Sequence, residues 1–308
     1  MPSQFPSSVS IFEVGPRDGL QNEKSPISLQ SKVELVNQLS LAGIKKIETG
    51  SFVSPKWVPQ MANSSEVFTQ IDRLPGVSYS ALIPNVKGVE LAIASSADEV
   101  AVFAAASETF SQKNVNCSIA ESLHRFEPIM ELAASVNMPV RGYVSCVAGC
   151  PYEGAVSPDK VAQVAKSLMD LGCYEVSLGD TIGVGTPRQI KKMITEVVKV
   201  VPVNRLAVHF HDTYGQALTN IYASLAMGVS VIDSAVAGLG GCPYASCSTE
   251  GGVAMGNVAT EDVLYMLNGM GIETGINLNK VIMAGNAIVQ QLGRPSNSKV
   301  ALAGSKGL

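Results

Sequence analysis

The 308-residue chain predicts an α/β fold, a single (β/α)8 TIM barrel with an extra C-terminal helical segment. Short Val/Ile/Phe-rich runs alternate with longer helical patterns almost from end to end. Eight such pairs occur in sequence, and no glycine-rich dinucleotide fingerprint follows the first run. At 46% hydrophobic and 16% charged residues, the chain can bury one large core and requires no second domain. The expected organisation is one catalytic domain over 1–308, with the barrel over about 9–270 and the extension over about 271–308.

Strands are expected near 9–14, 44–49, 78–83, 98–103, 139–145, 174–179, 206–211 and 231–236. Helices are expected near 28–42, 64–72, 86–95, 116–137, 157–171, 187–200, 215–227 and 260–269. The first strand stops at Gly15-Pro16, a turn signal. Ser157-Pro158 and Thr186-Pro187 open two helices, and Gly43, Gly172 and Gly228 close three. One more helix is expected over 274–292, followed by a polar tail over 293–308.

The formal charge of −4, with no Lys/Arg cluster longer than Lys45-Lys46 or Lys191-Lys192, argues against a nucleic-acid surface. No uninterrupted run of about eighteen apolar residues suggests a membrane span. The N-terminal residues show neither signal-peptide nor transit-peptide character, so a cytoplasmic protein is expected. Six cysteines in a chain of this length make no disulfide scaffold. Cys117, Cys146, Cys150 and Cys173 read as small residues in or near the core. Trp57 reads as a packing anchor for the loop after the second strand, and His124 as a solvent-side residue.

Of the three histidines, His209 and His211 lie one residue apart in a Val/Phe-rich strand, so alternation sends both to one face. Two imidazoles on one face can share a divalent ion; one core and one surface histidine is the plainer alternative. After the first strand, Asp18 offers an oxygen ligand and Arg17 a fixed positive fork for an oxyanion. In a barrel these groups would meet at the C-terminal ends of the strands, joined there by Gln21, Glu48, Asp180 and Thr181. A long glycine-rich loop, Gly238 to Asn257, follows the last strand.

Gly15-Pro-Arg-Asp-Gly-Leu-Gln-Asn-Glu-Lys24, Ile47-Glu48, Ser51-Phe-Val-Ser-Pro-Lys-Trp-Val-Pro-Gln-Met61, Ser177-Leu-Gly-Asp-Thr-Ile-Gly-Val-Gly-Thr186, His209-Phe-His-Asp-Thr-Tyr-Gly-Gln216 and Gly238-Leu-Gly-Gly-Cys-Pro-Tyr244 closely resemble the hydroxymethylglutaryl-CoA lyases. The resemblance runs from about residue 9 to 292. Arg-Asp with His-x-His is common to a wider superfamily of barrel lyases and acyl-CoA-using synthases; the 51–61 and 238–244 segments are narrower. The resemblance implies cleavage of 3-hydroxy-3-methylglutaryl-CoA to acetyl-CoA and acetoacetate, with Mg2+ or Mn2+ as the expected ion. It implies Asp18, His209, His211 and Asn257 as metal ligands. It also implies Arg17 as enolate-stabilising group, Cys242 as catalytic cysteine, and Glu48 and Asp180 as acids supporting the metal shell and substrate orientation.

The chain departs from the family in its last loop. The family runs from GGCPYA through one variable residue to GASGN, whereas Ala245 to Gly256 intervene here, about half a dozen extra residues. An acyl-CoA substrate is expected, without nucleic acid or membrane, and a homodimer is compatible with a barrel. Two other readings stay open: a condensing synthase or aldolase of the same superfamily acting on a 2-oxo acid, and a non-catalytic metal-binding module.

Overall fold

A computed structural model describes residues 5–23, 25–240 and 256–304. Eight parallel strands close into a barrel in the order β1-β2-β3-β4-β5-β6-β7-β8. They are β1 (Ser10–Glu13), β2 (Lys46–Ser51), β3 (Ser78–Leu82), β4 (Glu99–Ala105), β5 (Val140–Ser145), β6 (Glu175–Asp180), β7 (Leu206–Phe210) and β8 (Val231–Ser234). β1 closes on β8 with Ser10 opposite Val231 and Glu13 opposite Ser234, as the eight-unit reading requires. The strands are buried on both faces, which is why they read as near-continuous apolar runs.

The outer helices are α1 (Leu29–Leu41), α2 (Ser64–Gln70), α3 (Val86–Ala94), α4 (Glu108–Val115), α5 (Ile119–Ser135), α6 (Pro158–Leu171), α7 (Pro187–Val197), α8 (Ala217–Leu225) and α9 (Thr260–Gly269). α10 (Leu278–Leu292) packs against α1, and the short α11 (Lys299–Ala303) lies against α9. Capping chemistry sets several boundaries. Ser28 accepts from the Ser31 N–H, and Pro158 and Pro187 occupy the first helical turns of α6 and α7. Gly172 ends α6 at φ 108, a conformation that favours glycine.

Three expectations change. The helix expected over 116–137 is α5, started by a reciprocal Ser118/Glu121 capping box, but an unexpected helix, α4, precedes it and ends where Asn116 enters the left-handed region at φ 52. The tail contains α11, whose first turn Ser298 caps. Trp57 is 86% exposed and lines the mouth of the cavity, so it anchors no packing. Cys117, Cys146, Cys150 and Cys173 are buried free thiols, and the His124 ring projects outward beside Glu127.

Two buried carboxylates, Glu13 on β1 and Glu261 on α9, shape the turns above the β1–β8 seam. Glu13 Oε1 accepts from the Gly15 N–H at 2.8 Å and the Val236 N–H at 2.9 Å, tying the turn after β1 to the turn after β8. Glu261 accepts from the N–H of Ala237, which sits at φ 57. Burial pushes Glu13 up to about 7 and Glu261 up to about 8.

Candidate active site and metal centre

After β1 the chain makes one π-type turn, Gly15–Gly19, closed by the Gly19 N–H on the Val14 carbonyl at 3.1 Å. This turn points Arg17 and Asp18 into the barrel mouth. Arg17 is buried and forked between two acids: Nε donates to Glu48 Oε2 at 2.6 Å and Nη1 to Asp18 Oδ1 at 2.8 Å. Burial opposes its charge, but Glu48 and Asp18 outweigh that and hold the guanidinium firmly protonated. Neither carboxylate takes Nη2.

His209 is the penultimate residue of β7 and His211 follows the strand, both facing Asp18. Asp18 Oδ2 lies 3.9 Å from His209 Nε2 and 4.0 Å from His211 Nε2, and the two Nε2 atoms are 3.4 Å apart. These ligand-type atoms all fall within 4.8 Å of one another, and among the described residues no other His/Cys/Asp/Glu group gathers this closely. Burial favours the protonated form of Asp18, yet Arg17 and then the two imidazoles hold it well below the usual carboxylate range. Burial lowers His211 to about 4, so its ring is neutral and keeps a lone pair at neutral pH.

Asn257 reaches the same cluster across the lengthened loop. Its Nδ2 donates to Asp18 Oδ2 at 2.7 Å, and its buried Oδ1 has no partner. The loop's two roots explain why the extra residues do not displace it. Gly240 sits at φ 106, and a Cβ on Gly256 would lie 2.4 Å from the Gly240 carbonyl oxygen, so the two backbones touch. Beyond this neck the chain runs along the strand ends: the Asp212 N–H donates to Gly256, Val258 to Phe210, and Ala235 to Val258. Asn257 itself bridges His211. Cys242, Cys247 and Glu250 lie outside the described residues.

Deleting residues 246–251 should therefore leave metal uptake at the wild-type level, measured by calorimetric titration with Mn2+. A trimmed protein that no longer binds the ion would show that the loop supplies a ligand, with Glu250 the first candidate.

Glu48, fully buried at the middle of β2, bonds to Arg17 and accepts from the Tyr143 hydroxyl at 3.3 Å; burial raises its pKa against the pull of Arg17. Asp180 is placed differently from the expectation. Its carboxylate accepts from the Val184 and Gly185 N–H groups at 3.2 and 2.7 Å, shaping the turn after β6, and it does not line the cavity. Burial raises Asp180 to about 6. Thr181 Oγ1 accepts from the Cys146 N–H, and Gln21 keeps a buried oxygen without a partner beside the cavity.

The cavity above the cluster encloses about 1540 Å3. Its floor carries Arg17, Asp18, His209 and His211, and its rim carries Lys87, Lys113 and Arg125. Cations on the rim of an acidic chain suit a long anionic substrate whose reacting end lies below.

The sequence reading passed over Tyr143 and Asp233. Tyr143 lies edge-on to His209 with ring centroids 6.0 Å apart, and the Arg17 guanidinium sits 5.9 Å above its ring. Asp233 sits opposite His209 across the β7–β8 ladder. A detectable signal existed: Arg141 and Asp233 each interrupt an otherwise apolar strand, the pattern of a buried ion pair.

The donor set fits a divalent metal. A carboxylate held ionised, a neutral imidazole and a second imidazole converge at one point, the Asn257 amide beside them has an orphaned buried oxygen, and oxygen with imidazole suits Mg2+ or Mn2+ better than a thiolate-seeking ion.

A family model described as HMGL-like matches residues 8–288. The hydroxymethylglutaryl-CoA lyase of Macaca fascicularis, named as mitochondrial, is 60% identical over 98% of this chain and 91% of its own. A Pseudomonas aeruginosa protein named 3-hydroxy-3-isohexenylglutaryl-CoA/hydroxy-methylglutaryl-CoA lyase is 59% identical, covering 97% of this chain and 98% of its own. The crystal structure of hydroxymethylglutaryl-CoA lyase from Pseudomonas aeruginosa superposes with a TM-score of 0.94 at 58% identity, covering 98% of each chain. No helix among the described residues is long and apolar enough to cross a membrane. The mitochondrial label of the Macaca relative does not share the cytoplasmic expectation.

Proposed function

The chain belongs to the HMGL-like family, and from that and the site geometry we propose that it is a carbon–carbon lyase splitting 3-hydroxy-3-methylglutaryl-CoA into acetyl-CoA and acetoacetate. The observation that carries this reading is the convergence of Asp18, His209 and His211 beneath Arg17 on the floor of one deep cavity.

Breaking the bond beside a tertiary alcohol requires removal of the hydroxyl proton, a place for the electrons released into the thioester enolate, and a proton for the resulting carbanion. Asp18, His209, His211 and Asn257 would hold a divalent ion, Mg2+ or Mn2+, which when bound lowers the pKa of the hydroxyl and polarises the adjacent acyl oxygen. Arg17 turns Nη2 toward the developing enolate oxygen, with Glu48 and Asp18 fixing the plane of its fork. Glu48 thus acts through Arg17 and Tyr143. Cys242, between Gly240 and Gly256 in sequence, donates the proton that converts the enolate to acetyl-CoA, while the hydroxyl proton passes to water, from which the Cys242 thiolate is reprotonated. Lys87, Lys113 and Arg125 meet the phosphates of the CoA chain at the rim.

Incubation with 3-hydroxy-3-methylglutaryl-CoA and Mg2+ should release acetoacetate and acetyl-CoA in equal amounts. Consumption of acetyl-CoA with pyruvate in the parallel reaction, and no cleavage in the first, would transfer the protein to the condensing branch. Inactivity toward every acyl-CoA would favour a metal-binding module.

A further inference from the structure

Beneath the cluster lies a charged pair that the proposed chemistry does not use. Arg141, at the second position of β5, is wholly buried in the barrel interior. Its Nη1 and Nη2 donate to Asp233 Oδ2 and Oδ1 at 3.0 and 2.7 Å, its Nε donates to Glu175 at 2.8 Å, and its plane lies 4.0 Å from the centre of the Phe12 ring. A buried ion pair adds little net stability over an apolar pair of similar volume, so stability alone does not account for it. Asp233 Oδ2 has two further neighbours: the Ser177 hydroxyl donates to it at 2.8 Å, and His209 Nδ1 lies 3.3 Å away.

The protonation state of this carboxylate decides the direction of the last contact. The Arg141 guanidinium meets both carboxylate oxygens as a bidentate donor and the Ser177 hydroxyl donates to Oδ2, contacts that an ionised Asp233 accepts. An ionised carboxylate only accepts. The hydrogen between the two side chains therefore belongs to His209 Nδ1, and a neutral ring with its proton there presents a bare lone pair at Nε2. That atom is the one facing Asp18 Oδ2 and His211 Nε2. His211 has no such anchor, because its Nδ1 is buried without a partner.

We propose that Asp233 is a positioning residue, held ionised by Arg141, that fixes His209 as the Nδ1–H tautomer and so aims the Nε2 lone pair at the metal site. The assignment rests on the metal site proposed above. It leaves the two histidines unequal: His209 enters the site with its tautomer set, whereas His211 settles its own when a ligand arrives. Carboxylate partners of this kind orient ligating histidines and raise their basicity.

The chain contains only three histidines, so nitrogen-15 labelling of their rings gives a readable spectrum of the metal-free protein, with the exposed His124 identified by His124→Gln. Wild-type His209 should show its proton on Nδ1. In Asp233→Asn, whose amide can donate to Nδ1, the proton should move to Nε2, and Mn2+ affinity by calorimetry should fall about 10- to 100-fold. A wild-type ring protonated at Nε2 overturns the assignment whether or not the variant folds. So does an Asp233→Asn protein that binds Mn2+ as tightly as wild type. Wild-type protein that takes up no Mn2+ overturns the metal site itself, a different failure.

Discussion

His211→Ala is expected to leave a folded barrel that has lost its divalent ion and nearly all turnover. The folded state loses little, because the ring's Nδ1 makes no hydrogen bond and the pairing of residue 211 with Asn257 is a backbone matter. Removing a buried side chain of this kind costs within about 0.5–3 kcal/mol. The chemistry loses far more. A neutral imidazole is withdrawn from a site whose other ligands lie within 4.8 Å, and Lewis-acid activation worth several kcal/mol amounts to a loss of about three orders of magnitude in rate. His209→Ala should give the same loss of metal at a higher cost in stability, since Asp233 then loses one of its donors while remaining buried and charged. Metal content after dialysis, circular dichroism and turnover together decide the matter. A folded His211→Ala protein with wild-type metal content and turnover would remove the metal reading.

The parts of this site that were legible before the fold was known are those encoded by local spacing. Strand alternation alone puts His209 and His211 on one face, and a Gly-Pro turn after an apolar run exposes Arg17 and Asp18. Barrel topology then brings both to one end. Asp233 was missed because its partners are remote: a charge inside an apolar strand marks it as paired, but Arg141 is 92 positions away and His209 is 24, and no local pattern says which groups it meets. Asp180 was misplaced for the opposite reason. Its position at a strand end is shared by catalytic and turn-shaping acids, and only the N–H groups of Val184 and Gly185 tell the two apart. α4 went unread because its residues, Glu108 to Val115, are mostly polar and carry little apolar periodicity, so only the Ser107 cap, which accepts from the Phe110 N–H, marks its start.

The lengthened loop shows how a departure in sequence can leave a site intact. Length matters to the residues beyond it only if the ends are free to move, and here Gly240 and Gly256 meet backbone to backbone while Val258 is held by Phe210. Once that neck is closed, further residues add only a slowly growing closure entropy. The position of Asn257 follows from the strand ends it lies along.

Arg17→Lys should keep substrate binding and lower kcat by about a hundredfold to a thousandfold, the range seen when one oxyanion donor is removed. The arginine holds two acids with one rigid plane, Nε on Glu48 and Nη1 on Asp18, and in the proposed reaction Nη2 meets the enolate oxygen. A lysine carries the charge on a single nitrogen at the end of a flexible stem. Held between the two carboxylates, its ammonium cannot also occupy the position of Nη2. Glu48 would exchange its 2.6 Å guanidinium partner for an ammonium shared with Asp18, and with burial already raising its pKa, the weaker pairing would push it further toward the protonated acid. Because the lost interaction forms fully only as negative charge develops on the enolate, the deficit belongs in kcat rather than KM. Steady-state kinetics with 3-hydroxy-3-methylglutaryl-CoA separates the two. A near-normal kcat with a raised KM would mean that Arg17 only attracts the anionic substrate, and the group stabilising the enolate would have to be sought elsewhere on the cavity floor.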